Sequence, residues 1–149
     1  MAGATIAVAS DHAGFDLKEI LKRDLQTAGH AVLDLGTNSS ASVDYPDFGA
    51  AMAEAIASGR ADRGVLVCGT GIGISIAANR NPKVRAALVH DVTSARFSRE
   101  HNDANVVAFG QRLIGTETAR EALKVFLGTP FEGGRHAGRV AKLSREKVK

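Results

Sequence analysis

Short runs of apolar residues alternate along the chain with longer stretches in which apolar positions recur every three or four residues. The run TIAVAS, Thr5 to Ser10, breaks at the polar DHAG, and Leu17, Ile20, Leu21, Leu25 and Ala28 then follow at helical spacing until Gly29. HAVLDLG reads as a second strand. DYPDFGAAMAEAIASG reads as a turn at Pro46 and a helix with Phe48, Met52 and Ile56 on one face, ended by Gly59. The same unit returns as RGVLVC with a helix beginning in IGISIAANR, and as VRAALVH with a helix over DVTSARFSREH, for which Asp91 is the expected N-cap. NVVAFG supplies a fifth strand, and GTETAREALKVFLG a helix whose cap falls at Thr118 with Glu121, or slightly earlier at Thr116.

Strands that are apolar throughout, rather than alternating, belong to parallel sheets covered on both faces. Five such β-α units predict a three-layer α/β/α sandwich around a five-stranded parallel sheet, of Rossmann or flavodoxin type, with an extra C-terminal helix. Residues 1–149 are expected to form one domain, because no linker or low-complexity segment divides them.

Composition narrows the class. With 44% hydrophobic and 23% charged residues the chain is an ordinary globular one, and glycine, at 16 residues, is its one excess. A single cysteine permits no internal disulfide, and no apolar run approaches the roughly 20 residues of a membrane span. The expectation is a cytoplasmic enzyme or binding protein. The net charge of +3 is unevenly placed, since Arg135 to Lys149 carries six Lys or Arg against Glu146 alone. Such a basic tail suits either a nucleic-acid or lipid contact or a merely solvated terminal helix.

In an open parallel sheet, ligands lie beyond the carboxyl ends of the strands. Here those ends are polar: Asp11-His12 after the first strand, Cys68-Gly69-Thr70-Gly71 after the third, His90-Asp91 after the fourth and Gln111-Arg112 after the fifth, with His101-Asn102 in the loop before the fifth. The glycines at 69, 71 and 73 make a loop able to present backbone N–H groups to an anion, or able only to pack helix on strand. Their GxGxG spacing is neither a dinucleotide fingerprint nor a P-loop. Cys68 at a helix start is either a thiolate held ready for chemistry or a small buried plug. Arg135 and Arg139, four apart, can share a helix face and grip one anion, or can form surface ion pairs. His12, His101 and His136 show no metal-ligand spacing among themselves, so no metal site is expected.

Taken together, SDHAGFDLK, DYPDF, CGTGIGISIAANR, SREHNDANVVAFGQR and FEGGRHAGRV resemble the B-type ribose-5-phosphate isomerases and the related galactose-6-phosphate isomerase subunits, in order from about residue 5 to residue 141. The resemblance implies an aldose–ketose isomerase that needs neither metal nor cofactor and works on a sugar phosphate through an enediolate. It makes Cys68 the base, where some relatives carry Glu, and His101 the ring-opening acid, with Thr70 a candidate assistant. It places Asp11, His12 and Tyr45 along the sugar, Gly69, Gly71, Ile72 and Gly73 around the enediolate oxygens, Asn102 on the sugar, and Arg112, Arg135 and Arg139 on the phosphate. It further implies a homodimer or dimer of dimers whose sites combine two chains, with Cys68 and Asp11 from one and His101, Arg135 and Arg139 mainly from the other. The basic tail from about residue 135 then reaches the partner rather than nucleic acid or membrane. Ribose 5-phosphate is the leading substrate, and galactose, allose and erythrulose phosphates are its rivals. A non-catalytic sugar-phosphate sensor or a thiol redox sensor is the reading from a different class.

Overall fold

A computed structural model describes residues 3–145. Its elements are β1 (Thr5–Ser10), a 3-10 turn (His12–Gly14), α1 (Phe15–Thr27), β2 (Ala31–Asp34), α2 (Tyr45–Ala57), β3 (Arg63–Cys68), α3 (Ile72–Ala78), β4 (Ala86–Leu88), α4 (Val92–Glu100), β5 (Val106–Gly110), α5 (Thr116–Gly128) and α6 (Arg135–Leu143). The strands form one five-stranded parallel sheet in the order β2-β1-β3-β5-β4. The chain therefore winds outward from β1 to β2, returns to β3, and jumps over the place of β5 to reach β4 before filling it. The last two strands stand in the reverse of the flavodoxin order.

Period-two alternation of side chains splits each strand between two cores. Ile6, Val8, Val65, Val67, Val107 and Phe109 face α1, α4 and α5, where they meet Leu17, Leu21, Ala95, Leu123 and Phe126. Ala7, Ala9, Leu66, Cys68, Val106 and Ala108 face α2 and α3, where they meet Met52, Ala53, Ile74 and Ala78. Both faces are covered, which is why the strands read as continuous apolar runs. The small alanines of the second face let α2 and α3 sit close to the sheet.

Several expectations shift in detail. β4 spans three residues instead of the seven of VRAALVH, because it is an edge strand and the backbone N–H of Arg85, just before it, goes to the Asn105 side chain instead of a ladder carbonyl. α5 starts at Thr116 with Gly115 as N-cap and no side-chain cap bond, so neither Thr116 nor Thr118 caps it. Asp91 does cap α4, accepting the Ser94 N–H at 2.6 Å. The C-terminal helix ends at Leu143, and residues 146–149 of the expected tail lie outside the described residues. No described helix is long and apolar enough to cross a membrane.

One buried ion cluster ties the sheet edge to α1. The Lys18 side chain is fully buried and donates to Asp34 at 2.9 Å, and Lys22 donates to the other oxygen of Asp34 at the same distance. Asp34 Oδ1 also accepts the Gly36 N–H, and the Gly36–Thr37 segment pairs through its backbone with Ser10, next to Asp11.

Candidate active site

A cavity of about 520 Å³ opens at the carboxyl ends of β1 and β3, where the strand order reverses direction. Cys68, the last residue of β3, lines it while remaining 4% exposed. The two readings of this thiol thus coexist: its side chain belongs to the core beneath α2 and α3, and it also borders the cavity. Its Sγ accepts the Gly71 N–H at 3.1 Å, which sets an amide dipole where a negative charge on sulphur would sit. Gly71 turns that amide inward by adopting φ 77°, a left-handed conformation costly for other residues, at the N-cap of α3.

The neighbours of Cys68 are fixed by close backbone contacts. A Cβ on Gly69 would come within 3.3 Å of Arg112 Nη1, so the guanidinium rests over this glycine, and the Arg112 N–H also donates to the Gly69 carbonyl at 3.0 Å. A Cβ on Gly73 would lie 2.4 Å from Tyr45 Cε1, which shows the tyrosine ring laid against the glycine backbone as a cavity wall. Thr70 Oγ1 accepts the Ile72 N–H at 3.2 Å. Two amides of the glycine loop, those of Gly71 and Ile72, are therefore engaged by the chain's own side chains.

Asp11 is buried, and its Oδ1 accepts the Gly14 N–H at 3.1 Å, so it caps the turn after β1 while lining the cavity. His12 Nδ1 lies 3.2 Å from both the nitrogen and the oxygen of Val43 and pairs with one or the other according to its tautomer. This tether draws the segment before α2, and with it Tyr45, toward β1. Ile72 and Ile76, one turn apart on α3, also line the cavity and are 48% and 59% exposed. Ile76 was not among the expected site residues, although its helical spacing from Ile72 was a signal that could have found it.

The remaining expected residues lie elsewhere. His101 caps the end of α4 and, with Asn102, His136 and Arg139, borders a separate pocket of about 340 Å³ closed by Val140 and Leu143. The two pockets share no lining residue. His101 is stacked between Phe97, at 4.7 Å between ring centroids, and His136, at 4.4 Å. Burial, the neighbouring His101 and the Arg135 charge hold the His136 imidazole below its ordinary pKa. Arg135 stands one turn before Arg139 on α6, and both are exposed. One chain thus brings Asp11, His12, Tyr45, Cys68, the glycine loop and Arg112 together, and places His101, Asn102, Arg139 and Arg135 in a second group. Spacing gave no sign that His101 and His136 meet, nor that Glu132 stands beside them; α6 folding back onto the end of α4 makes that contact.

The family model described as Ribose/Galactose Isomerase matches residues 6–143. Ribose-5-phosphate isomerase B of Escherichia coli is 46% identical over 139 residues, 93% of this chain and 93% of that protein. The D-erythrulose-4-phosphate isomerase of Pectobacterium atrosepticum is 41% identical over 140 residues, 93% of this chain and 92% of that one. Among solved structures, the ribose-5-phosphate isomerase B of Clostridium thermocellum superimposes with a TM-score of 0.93 at 49% identity, covering 94% of this chain and 95% of that one. A match of this length, with the same fold, places the chain in the ribose/galactose isomerase family.

Proposed function

We propose that this protein interconverts ribose 5-phosphate and ribulose 5-phosphate without metal or cofactor, in an active site completed by two copies of the chain. The observation that carries the reading is the setting of Cys68, a thiol bordering a cavity at the strand-order reversal with an amide directed at its sulphur and the Arg112 guanidinium over the adjacent glycine.

In this reading His101 gives a proton to the ring oxygen, the bond between that oxygen and C1 breaks, and the anomeric hydroxyl releases its proton to solvent as C1–O1 becomes the aldehyde carbonyl. The Cys68 thiolate then removes the C2 proton of the open-chain aldose, the electron pair forms the C1–C2 double bond, and negative charge gathers on O1. The thiol returns the proton to C1 as O2 becomes the carbonyl, while the hydroxyl proton passes from O2 to O1. A base of this kind needs donors placed where the charge develops. With the Gly71 and Ile72 amides engaged, that task falls to the other amides of the loop, aided by Thr70. Asp11, His12, Tyr45 and Asn102 hold the sugar hydroxyls. Arg112, Arg135 and Arg139 hold the phosphate, whose binding energy keeps C1 and C2 over the sulphur.

The separation of the two residue groups within one chain supports the shared site. Cys68 and His101 border different pockets, so a homodimer in which each copy offers one group to the other unites them. The exposed Ile72, Ile76, Phe97 and Leu143, at the rims of these groups, supply apolar surface for such a contact.

Initial rates with aldose phosphates of four, five and six carbons test the assignment. The expected result is the highest kcat/KM for ribose 5-phosphate. A preference of more than about tenfold for another sugar, about 1.4 kcal/mol of transition-state binding, reassigns the substrate but keeps the chemistry. Absence of turnover with every sugar overturns the enzyme reading in favour of a sensor.

A further inference from the structure

We propose that His101, Glu132 and His136 form a binding site for a divalent transition-metal ion, with Zn²⁺ the best match, and that filling it switches the isomerase off; the switching half rests on the role of His101 proposed above. The ligating atoms of the three residues all lie within 4.8 Å of one another. Ligands at zinc's ordinary 2.0–2.1 Å in tetrahedral array are about 3.4 Å apart, so the widest pair closes by at most about 1.4 Å. Two imidazoles and one carboxylate are a donor set that zinc accepts while keeping a fourth position open.

The backbone already holds the three together. The Glu132 N–H donates to the Glu100 carbonyl at 3.1 Å, strapping the segment before α6 to the residue that precedes His101. Glu132 stands in the loop before α6, four residues from His136 in the first turn of that helix, and the His136 N–H donates to the Gly133 carbonyl at 3.0 Å. The movement required falls on the ends that are free to move. The Glu132 side chain is 51% exposed and His101 is only half-buried.

An independent feature points to a ligand. His136 is 6% exposed, and its Nε2 is buried with no hydrogen-bond partner among the described residues, while Glu132 Oε1 stands 3.6 Å away, too long for a hydrogen bond. Buried polar atoms without a partner are rare, and an ion between Glu132 and the two rings satisfies this one. Arg135 and Arg139 oppose a cation here, so the site binds far more weakly than a structural zinc site and acts reversibly. To bind, His101 turns out of its stack between Phe97 and His136. With a ring nitrogen on the metal it no longer delivers a proton to the sugar.

Calorimetric titration of the metal-free protein with Zn²⁺ tests the site directly. One saturable ion per chain is expected. Loss of supporting groups around a metal already costs about 10–100-fold in affinity, so Glu132→Ala and His136→Gln should each weaken binding by at least about tenfold. Cys68→Ser should leave binding unchanged. Zn²⁺ should inhibit the wild type reversibly, with EDTA restoring the rate. Glu132→Ala should turn over normally without metal and resist inhibition. No saturable binding, binding unaffected by Glu132→Ala, or binding abolished by Cys68→Ser overturns the site. Binding without inhibition overturns the switch. If the metal-free protein turns over no sugar, it is the isomerase reading that fails, and the binding isotherms still decide the site.

Discussion

The Gly71 amide reaches Cys68 Sγ across 3.1 Å only because Gly71 holds φ at 77°. A side chain there meets two obstacles. The left-handed conformation costs an ordinary residue about 1–2 kcal/mol, and a Cβ would stand 2.6 Å from Leu88 Cδ1 and 2.9 Å from the Phe109 carbonyl carbon. Gly71→Ala should therefore lower stability by at least about 2 kcal/mol in urea unfolding and should also lower kcat. Cys68→Ser, nearly the same size, should leave the unfolding midpoint close to the wild type while removing about 10²–10⁴ of the rate, the usual worth of a positioned base. Full kcat in Gly71→Ala would show that the amide on sulphur has no part in the reaction.

Because Cys68 and His101 border different pockets of one chain, a shared site makes a quantitative prediction. Cys68→Ala and His101→Ala should each be inactive as pure preparations. After co-refolding at equal amounts, random pairing makes half of the dimers mixed, and each mixed dimer carries one intact site and one doubly mutated site. About a quarter of the wild-type rate should return. A mixture that stays inactive would show that each chain builds its site from its own residues.

How far the sequence revealed this arrangement depends on how local the cause is. RGVLVC ends as a strand where glycines begin, and that boundary alone places Cys68 at the carboxyl end of the sheet. Asp91 was readable as a cap because its partner, Ser94, is three residues away. The Phe97–His101–His136 stack was not readable, because it depends on where α6 docks, and no local pattern encodes that. The burial of Lys18 on α1 has no local signal either, since it depends on Asp34 of the neighbouring strand standing beside it. The short β4 was overestimated for a related reason: apolar composition reports burial, while the length of an edge strand is set by where its flanking backbone groups bond, as the Arg85 N–H does to the Asn105 side chain.

Gly110 supports the cavity from below. A Cβ on it would fall 2.5 Å from the carbonyl carbon and oxygen of Thr70, backbone atoms that cannot swing away. Gly110 also closes β5 opposite Cys68 in the sheet register. Gly110→Ala should push the Thr70 loop away from Cys68, with a loss of about 1–3 kcal/mol in stability from overpacking and a fall in kcat larger than any change in KM. Thermal unfolding and steady-state kinetics on the same preparation check both. An unchanged kcat would mean that the loop position does not govern proton transfer.

The Asp34 cluster predicts how stability depends on pH. Burial alone would raise the Asp34 carboxyl, but hydrogen bonds from Lys22, Lys18 and the Gly36 amide outweigh it and hold the group below its ordinary value of 3.8. As the pH falls, the unfolded chain therefore takes up this proton before the folded one does. The stabilisation is complete above the ordinary carboxylate range and is lost as the pH drops through it and below the folded value. Asp34→Asn removes the partner of the fully buried Lys18 and leaves it Glu19 at 3.3 Å as its remaining carboxylate. Breaking a buried pair from one side costs about 3 kcal/mol, so the variant should be weaker by that order at pH 7. The gap between wild type and variant should then narrow steadily below about pH 5, as the wild type loses the same interaction by protonation. Urea unfolding at a series of pH values measures it, and a gap that stays constant down to about pH 3 would show that the pair contributes by packing rather than by charge.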